Sequence, residues 1–323
     1  MLQFLATKPQ ILVLSGLPAS GKSTLAREWV AEDPDGRIRI NWDDMRLARY
    51  GPDWRFNRKE ENLMKEASYE MAVKALKSGL SVVVDNTNLT PKARQVWGDI
   101  AADIGADYVE QELDTDVATC IARDRLRTGR DRVGRAVIER MALFHGFIDW
   151  GKYHGQFVIC DIDGTLSDPA HRLHFVKDQK CVSLGPTSTT MCSQKTPGCM
   201  VSHRKDWDAF HDEVGKDALK EPIAKLLGHF RTLGYHIIIC SGRWIGDKCG
   251  KDTEEWLERH GIQYDHLFMR QTHDSRADFV IKEEILELLP KDKIAYVLDD
   301  RDQVVKMWRR NGLTCLQVSK GDF

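Results

Sequence analysis

Residues Ile11–Ser23 read ILVLSGLPASGKS, an apolar run followed by a glycine-rich stretch that ends in lysine and serine. The apolar run is short and rich in branched aliphatic side chains, which is typical of a strand buried on both faces. The segment Gly16–Ser23 fits G-x-x-x-x-G-K-S, in which backbone N–H groups converge on phosphate oxygens at the start of a helix. The stretch therefore predicts a strand, a phosphate-binding loop and a helix, in that order.

The loop motif assigns a role to individual side chains. Lys22 is expected to neutralise the β- and γ-phosphates of a nucleotide, and Ser23 to offer its hydroxyl to Mg²⁺. The alternative is a chance glycine-rich turn, but the strand before it and the helix after it are the context that the motif requires. The residues expected to bind the nucleotide in this segment are Gly16, Ser20, Gly21, Lys22, Ser23 and Thr24.

Short Val- and Ile-rich runs alternate with longer amphipathic segments along the first half of the chain. The predicted strands are Ile11–Gly16, Arg37–Asn41, Ser81–Asp85 and Asp107–Leu113. The predicted helices are Arg58–Ser78, Pro91–Ile104 and Thr115–Arg127. This alternation favours an α/β fold with a mainly parallel, doubly wound sheet.

The pattern restarts in the second half, where the predicted strands are Phe157–Asp163, Tyr235–Gly242 and Ile294–Asp300. We therefore expect two domains, residues 1–152 and 153–323, with the boundary near Tyr153. The Ser-, Thr-, Gly- and Cys-rich stretch Asp178–Arg204 lacks periodicity and is interpreted as an insertion in the second domain.

Composition narrows the class of protein. The 323 residues are 42% hydrophobic and 30% charged, which is typical of a globular chain long enough for two cores. The net charge of −2 means that any polyanion must be bound by locally clustered cations. We find no export signal and no apolar run of the length that a membrane span needs, so we expect a reducing, cytoplasmic location for the eight cysteines.

Acidic residues follow two of the predicted strands. Asp43 lies in INWDDMR and is a candidate general base for a hydroxyl, with Arg46 one turn later to pair with it or with an acceptor phosphate. Asp85 ends SVVVD and is expected to hold a Mg²⁺-bound water or to orient Arg46. The alternatives are a helix N-cap at Asp43 with an ordinary helix arginine, and an Asx-turn at Asp85.

A basic cluster follows the third helix. The segment Arg123–Arg135 has six arginines and two aspartates, and its glycine-containing loop indicates a lid over the nucleotide. Arginines in such a lid stabilise the charge of a transferring phosphoryl group. The alternative is a solvated basic face.

A second set of chemical groups begins at DIDGT. Asp161 follows a buried strand and is a candidate nucleophile toward phosphorus, and Asp163 is a candidate acid-base. Two carboxylates facing a phosphate need a cation. Further residues suited to bind phosphate or a cation follow at later strand ends and on a helix. They are Ser241, Gly242, Arg243, Lys282, Asp299 and Asp300. The alternative for DIDGT alone is a capped turn.

With these residues in view, the whole chain resembles the phage-type polynucleotide 5′-kinase/3′-phosphatases, in which a P-loop kinase precedes a haloacid-dehalogenase-type phosphatase. The resemblance is strongest at the C-terminus. The segments that carry it are GLPASGKS, INWDDMR, VVVDNTN, DIDGTL, CSGR, VIKEE and DDRDQVVKMWRRNGLTCLQVSKGDF.

The resemblance implies ATP and Mg²⁺ at Lys22 and Ser23, Asp43 as the base for a 5′-hydroxyl, and Arg46 at the acceptor end. It also implies that Arg127, supported by Arg123, contacts the donor phosphates. In the phosphatase it implies that Ser241, Arg243 and Lys282 hold the phosphate. The implied ligands of Mg²⁺ there are Asp161, Asp163, Asp299 and Asp300, and further substrate-side residues are Arg172, Arg276 and Asp278.

The function implied is the healing of RNA or DNA ends upstream of a nucleic-acid ligase, by a protein that forms a homotetramer. The alternatives are a small-molecule or nucleoside kinase fused to a nucleotidase, and a non-catalytic binder of ends, which would be expected to lack the carboxylates.

The insertion has no counterpart in that family, and three thiols and an imidazole in it suggest a structural Zn²⁺ site. The alternative is a flexible loop with incidental cysteines, because the spacing lacks paired C-x2-C knuckles. The candidate ligands are Cys181, Cys192, Cys199 and His203.

Overall fold

The computed structural model describes residues 8–51, 57–176 and 205–321. The chain divides into two compact units. The first comprises the residues up to Val133 together with His145–Phe147, and the second comprises Gly134–Phe144 and the residues from Ile148 onward.

The first unit is a four-stranded parallel sheet in the order β2-β3-β1-β4. Its strands are β1 (Gln10–Ser15), β2 (Arg37–Ile40), β3 (Ser81–Asp85) and β4 (Asp107–Glu112). Its helices are α1 (Lys22–Ala31), α2 (Trp42–Tyr50), α3 (Arg58–Lys77), α4 (Pro91–Ile104) and α5 (Val117–Arg125). The two strands at its centre are the apolar runs that the sequence singled out.

Both faces of this sheet are covered, as its unbroken apolar runs require. Ile11 and Val13 of β1 belong to one buried cluster with Trp97 of α4. The alternating residue Leu12 belongs to a second cluster with Ala26 of α1. Because successive side chains of a strand point to opposite faces, a run with no polar member places a core on each side.

The second unit is a five-stranded parallel sheet in the order β11-β10-β5-β8-β9, with a short antiparallel pair, β6 and β7, beside it. Its strands are β5 (Phe157–Cys160), β6 (Ser167–Asp168), β7 (Ala218–Leu219), β8 (His236–Trp244), β9 (His266–Arg270), β10 (Ile294–Arg301) and β11 (Cys315–Gly321). Its helices are α6 (Arg135–Phe144), α7 (Trp207–Asp212), α8 (Glu221–Thr232), α9 (Asp247–Arg259), α10 (Asp278–Glu287) and α11 (Asp302–Arg310).

Helix α6 packs within the second unit, although it precedes the expected boundary at residues 152/153. Buried Glu139 accepts the backbone N–H of Leu267 in β9 at 2.6 Å. Arg140 donates to the carbonyl of Met269 in the same strand at 3.2 Å. The compact units and the predicted domains therefore differ by the segment with α6 and by residues 148–152. Amphipathic spacing does not say which sheet a helix covers.

The predicted fold class, two parallel α/β regions, is confirmed. The strand predicted over Phe157–Asp163 ends at Cys160, so that Asp161 and Asp163 lie beyond the sheet edge. The insertion 178–204 and its four candidate zinc ligands lie outside the described residues. Every helix in the described ranges is too short or too polar to cross a membrane.

Candidate active sites

The loop after β1 has a backbone that only glycine adopts easily at two positions. Gly16 has a φ of 145° and Gly21 a φ of 109°. A Cβ on Gly16 would also lie 2.9 Å from the carbonyl oxygen of Leu113. The first and second glycines of the motif are therefore required by local geometry, and α1 begins directly after Gly21.

Lys22 is held inside this loop. Its Nζ donates to the carbonyls of Gly16 at 2.9 Å and Leu17 at 2.7 Å, and to Ser20 Oγ at 3.2 Å. Burial lowers the pKa of Lys22 to about 8, against the opposing charge of Asp85. An ammonium stripped of water and facing a concave loop is suited to bind phosphate oxygens. Ser23 is half-buried and Thr24 is exposed at the start of α1.

Asp43 lies in the first turn of α2, where its side chain is 87% exposed and pairs with Arg46. The cap of this helix is Asn41, whose side chain accepts the N–H of Asp44 at 2.9 Å. The alternative interpretation of Asp43 as an N-cap is therefore wrong. Arg46 also forms a two-point ion pair with buried Glu61, with Nη2–Oε1 and Nε–Oε2 distances of 2.6 and 3.0 Å.

Asp85 is buried at the end of β3, and its partner differs from the one expected. Arg39 reaches its Oδ2 with Nε at 2.8 Å and Nη2 at 2.6 Å, and Asn41 Nδ2 reaches the same oxygen at 3.2 Å. The expectation that Asp85 orients Arg46 is wrong, because Arg46 is bound to Asp43 and Glu61. Sequence reasoning missed Arg39, which alternates with buried Ile40 in β2 and so reads as an ordinary solvent-facing strand residue.

The basic cluster reaches the loop through two arginines. Arg123 Nη1 donates to the carbonyl of Ser20 at 3.2 Å. Arg127 is 39% exposed and close enough to Lys22 for its charge to lower the pKa of that lysine. Lys22, Arg123 and Arg127 therefore present cations around one loop, while Asp43 and Asp85 act electrostatically on the same lysine.

The second site lies at the carboxyl edge of the other sheet. Lys282, buried in α10, donates to Asp161 Oδ1 at 2.8 Å and to Asp299 Oδ2 at 2.9 Å, and lies 3.3 Å from Asp278. Burial would lower the pKa of Lys282, but these carboxylates raise it well above its ordinary value. Lys282 is thus a permanent cation that gathers three carboxylates, and its contact with the substrate phosphate stays a prediction.

Three carboxylates at this edge fit a divalent cation. Oxygens of Asp161, Asp299 and Asp300 lie within 4.8 Å of one another. Burial and the charge of Asp299 raise the pKa of Asp300 to about 6. Among the described residues, the buried Oδ2 of Asp300 has no hydrogen-bond partner. Crowded carboxylates with an unused buried oxygen are the hard ligands that Mg²⁺ takes.

Asp163 is shared between two buried guanidinium groups. Arg172 Nη2 lies 2.5 Å and Arg243 Nη2 2.6 Å from its Oδ1. Although burial alone would raise the pKa of Asp163, these arginines hold it well below its usual range. Both side chains are fully buried against carboxylates in this structure, and their contact with substrate stays a prediction.

The second carboxylate in this network is Asp217, which sequence reasoning missed. Its Oδ2 accepts from Arg172 at 2.7 Å and from Arg243 at 2.6 Å, and it is 3% exposed. It follows a short 3-10 turn in a segment without a motif, so its only local signal is an acidic residue just before β7. Two buried cations need two buried anions, and this pairing is not local in sequence.

The remaining predicted residues divide into buried and surface groups. Ser241 is buried, and its Oγ accepts the N–H of Arg243 at 3.3 Å. A Cβ on Gly242 would lie 2.4 Å from Asp278, so glycine is needed for that approach. Asp278 pairs with Arg270 at 2.9 Å, whereas Arg276 pairs on the surface with Asp274 and Glu284 and is not brought to Asp161.

Fold and sites together define two classes of catalytic domain in one chain. The N-terminal region contains an AAA-type domain, because residues 11–145 match the model of the AAA domain. The C-terminal region is a haloacid-dehalogenase-like phosphatase domain, because residues 198–323 match the model described as the polynucleotide kinase PNKP phosphatase domain. The resemblance to polynucleotide kinase/phosphatases, first inferred from short motifs, is thus confirmed.

Individual relatives agree with that assignment. The chain is 24% identical over 328 residues to a putative bifunctional polynucleotide kinase/RNA ligase of Autographa californica nuclear polyhedrosis virus, covering 94% of this chain and 42% of that protein. It is 37% identical over 92 residues to a bifunctional polynucleotide phosphatase/kinase of Schizosaccharomyces pombe, covering 28% of this chain and 18% of that protein. The chain therefore spans less than half the length of these curated relatives.

Among solved structures, a chain of the Pnkp1/Rnl/Hen1 RNA repair complex is 28% identical, with 98% of this chain and 97% of that chain covered and a TM-score of 0.38.

Proposed function

We propose that this protein heals nucleic-acid ends, transferring the γ-phosphate of ATP to 5′-hydroxyls and removing 3′-phosphates from RNA or DNA. The observation that carries the proposal is a phosphate-binding loop in the same chain as a carboxylate cluster of the polynucleotide-kinase phosphatase kind. A nucleoside kinase fused to a nucleotidase is less favoured, because the phosphatase model and both named relatives belong to polynucleotide enzymes.

In the kinase reaction, the loop around Lys22 holds the β- and γ-phosphates of ATP. Asp43 accepts the proton of the 5′-hydroxyl as its oxygen attacks the γ-phosphorus, the bond from that phosphorus to the β,γ-bridging oxygen breaks, and ADP leaves. Arg46 engages the acceptor strand. Arg127, supported by Arg123, stabilises the transferring phosphoryl charge. Mg²⁺ held through Ser23 neutralises phosphate charge when it is bound. Asp85 supports this site by holding Arg39 at the same sheet edge.

In the phosphatase reaction, Asp161 attacks phosphorus, the bond from phosphorus to the sugar oxygen breaks, and an aspartyl-phosphate forms. Asp163 gives its proton to the leaving oxygen and later takes one from the water that hydrolyses the intermediate. Lys282 fixes the orientation of Asp161. Asp161, Asp299 and Asp300, with Asp163, would hold Mg²⁺, which offsets the repulsion between carboxylates and phosphate when it is bound.

The two arginines on Asp163 add a requirement to this scheme. They stabilise its ionised form, so Asp163 is a proton acceptor in the arrangement described. We expect the substrate phosphate to draw at least one of Arg172 and Arg243 away before Asp163 donates a proton. This exchange would give those arginines the phosphate contact that the resemblance implies.

The products are a 5′-phosphate and a 3′-hydroxyl, the ends that a nucleic-acid ligase joins, so we expect the enzyme to act upstream of a ligase. Its cytoplasmic location stays a prediction. The homotetramer and the structural zinc stay predictions. Sedimentation analysis measures the first, and elemental analysis of protein purified without a metal-affinity tag measures the second.

The deciding experiment supplies Mg²⁺ and γ-labelled ATP with matched RNA and DNA oligomers that carry a 5′-hydroxyl or a 3′-phosphate. We expect label on 5′-hydroxyl ends and release of inorganic phosphate from 3′-phosphate ends. Mononucleosides and nucleoside 3′-monophosphates serve as the matched small substrates. Equal or better activity on these small substrates would replace the proposal with the nucleoside kinase and nucleotidase.

A further inference from the structure

A chain of aromatic rings leads from the neighbourhood of Asp163, the proposed acid-base carboxylate of the phosphatase unit, to the surface of that unit. Buried His211 acts electrostatically on Asp163 and lies 4.3 Å from the ring of Trp244, measured between centroids. Trp244 in turn lies 4.8 Å from the ring of His273. On the other side, Trp207 stacks on His211 at 6.2 Å with an interplanar angle of 27°.

The outer members of this chain are not core residues. Trp207 is 43% exposed, His273 is exposed and Trp244 is half-buried. Trp244 follows Arg243 directly, and Arg243 donates to Asp163 at 2.6 Å. Removing aromatic surface from water is favourable, so the accessible faces of Trp207, Trp244 and His273, packed around buried His211, are surface that a flat apolar ligand would cover.

The segment that carries His273 is fixed in place. Arg270 Nη1 donates to the carbonyls of Asp274 at 3.1 Å and Arg276 at 2.7 Å, while its Nη2 is held by Asp278 at 2.9 Å. His273 has a φ of 62°, a left-handed conformation that costs free energy for a residue with a Cβ. A ring held in a strained, clamped turn is pre-ordered for contact, which lowers the entropy cost of binding.

We propose that Trp207, Trp244 and His273 form an aromatic platform on which the bases next to the 3′-phosphate stack. The proposal rests on the polynucleotide 3′-phosphatase function above and adds what the site recognises beyond phosphate. Every nucleobase has a π-face, so such a platform tolerates any sequence and favours single-stranded ends whose bases are free to stack. Lys205, 5.8 Å over the ring of Trp207, supplies a cation for the adjoining backbone.

The test compares three substrates of the intact protein: a 3′-phosphorylated oligomer, the same oligomer with an abasic terminal nucleotide, and glycerol 2-phosphate, which has no ring. We expect wild-type protein to have a lower KM for the oligomer with its terminal base. In Trp244→Ala that KM should rise about 10-fold, which is about 1.4 kcal/mol. The difference between ordinary and abasic oligomers should shrink correspondingly, with turnover of glycerol 2-phosphate unchanged.

Trp244→Phe, which keeps a ring, should restore most of the affinity, and Leu233→Ala, an exposed apolar residue elsewhere in the unit, should change nothing. If Trp244→Ala also loses glycerol 2-phosphate turnover, its fold is disturbed, and the exposed Trp207→Ala and His273→Ala decide the question with the same three substrates. An unchanged KM for the ordinary oligomer in a folded platform variant overturns the platform. Wild-type hydrolysis of glycerol 2-phosphate without that of any oligomer instead overturns the polynucleotide function.

Discussion

The carboxylates that we propose as the acid-base groups of the two sites lie in opposite environments. The Asp43 side chain of the kinase site is 87% exposed and pairs with Arg46 on its own helix. The Asp163 side chain of the phosphatase site is 16% exposed and lies between two fully buried arginines that also bind Asp217. The first carboxylate is open to solvent, whereas the second is held in place by two buried arginines. Mutating the kinase carboxylate should therefore lower activity without lowering stability. Mutating the carboxylates around Asp163 should lower both.

The largest effect is expected from Asp161→Asn, which removes the nucleophile but keeps the shape of the side chain. Release of 3′-phosphate should fall at least about 10⁴-fold, the scale on which nucleophile removal acts in other hydrolases. Kinase activity should stay near normal, because Asp161 lies in the other unit. Both activities are measured on the same preparation, and loss of both in a folded variant would contradict the two-site account.

Asp43→Ala tests the exposed side of the comparison. Phosphorylation of 5′-hydroxyls should drop by about 10²–10⁴, the range for removal of a general base. The unfolding midpoint should barely move, because the side chain is mostly in water. Exposed Glu66→Ala on α3 is the control that also removes one surface carboxylate, and an equal loss of activity there would mean that the charge of the unit, and not Asp43, matters.

Asp217→Asn tests the buried side. Removing one charge from between two buried guanidinium groups should cost about 3–5 kcal/mol of unfolding free energy, as for other buried ion pairs that lose one partner. Denaturant unfolding followed by circular dichroism measures it, with two transitions expected for two units. Asp252→Asn, which breaks the surface pair with Lys248, should cost less than about 1 kcal/mol. Similar losses of unfolding free energy in both variants would mean that the buried ion pairs of Asp217 stabilise the fold no more than a surface pair does.

Lys22→Met should abolish the kinase reaction, while the accompanying change in unfolding free energy should be small and favourable, a stabilisation of its unit near pH 7. A pKa of about 8, against 10.5 in the unfolded chain, means that the folded state pays to keep this ammonium charged. Allowing for the three lost hydrogen bonds, we expect a gain of about 1–2 kcal/mol. Between pH 8 and 10.5 the folded wild type binds fewer protons than the unfolded chain, so its stability rises with pH. The stabilisation by Lys22→Met should therefore become smaller over this range.

Thermal unfolding at pH 7 and pH 9.5 makes this measurement, with exposed Lys77→Met as the control that should be neutral at both. A lower melting temperature for Lys22→Met at pH 7 would mean that the hydrogen bonds of Lys22 outweigh its desolvation.

Much of each site was predictable because its signal is local. Side-chain type alone predicts the buried strands and where they end, and the residues that follow those ends include Gly16, Lys22 and Asp161. In a parallel sheet such strand ends lie at one edge. The required glycines were also predictable from local sequence, because the conformation of Gly16 is set by its own turn.

The partners of these residues were not predictable. Glu61 reaches Arg46 from another helix, Arg39 takes the place expected for Arg46 at Asp85, and Asp217 occupies two arginines that were assigned to substrate. Each is a charge whose meaning depends on a contact between distant parts of the chain. A motif gives the residue that does chemistry, but the ion that balances it comes from packing.

Helix α6 has a consequence for any attempt to split this protein. The chain changes unit after Val133, again after Phe144 and a third time after Phe147, while the AAA domain match runs on to residue 145. A fragment ending at residue 152 would carry α6 away from β9 and leave Glu139, a buried carboxylate, without the N–H of Leu267. Limited proteolysis in the exposed Arg130 region, ahead of α6, would instead leave the second sheet with its helix. If the chain were divided by sequence homology alone, the N-terminal fragment would contain α6 without the sheet that it packs against. The C-terminal fragment would lack the helix that covers β9.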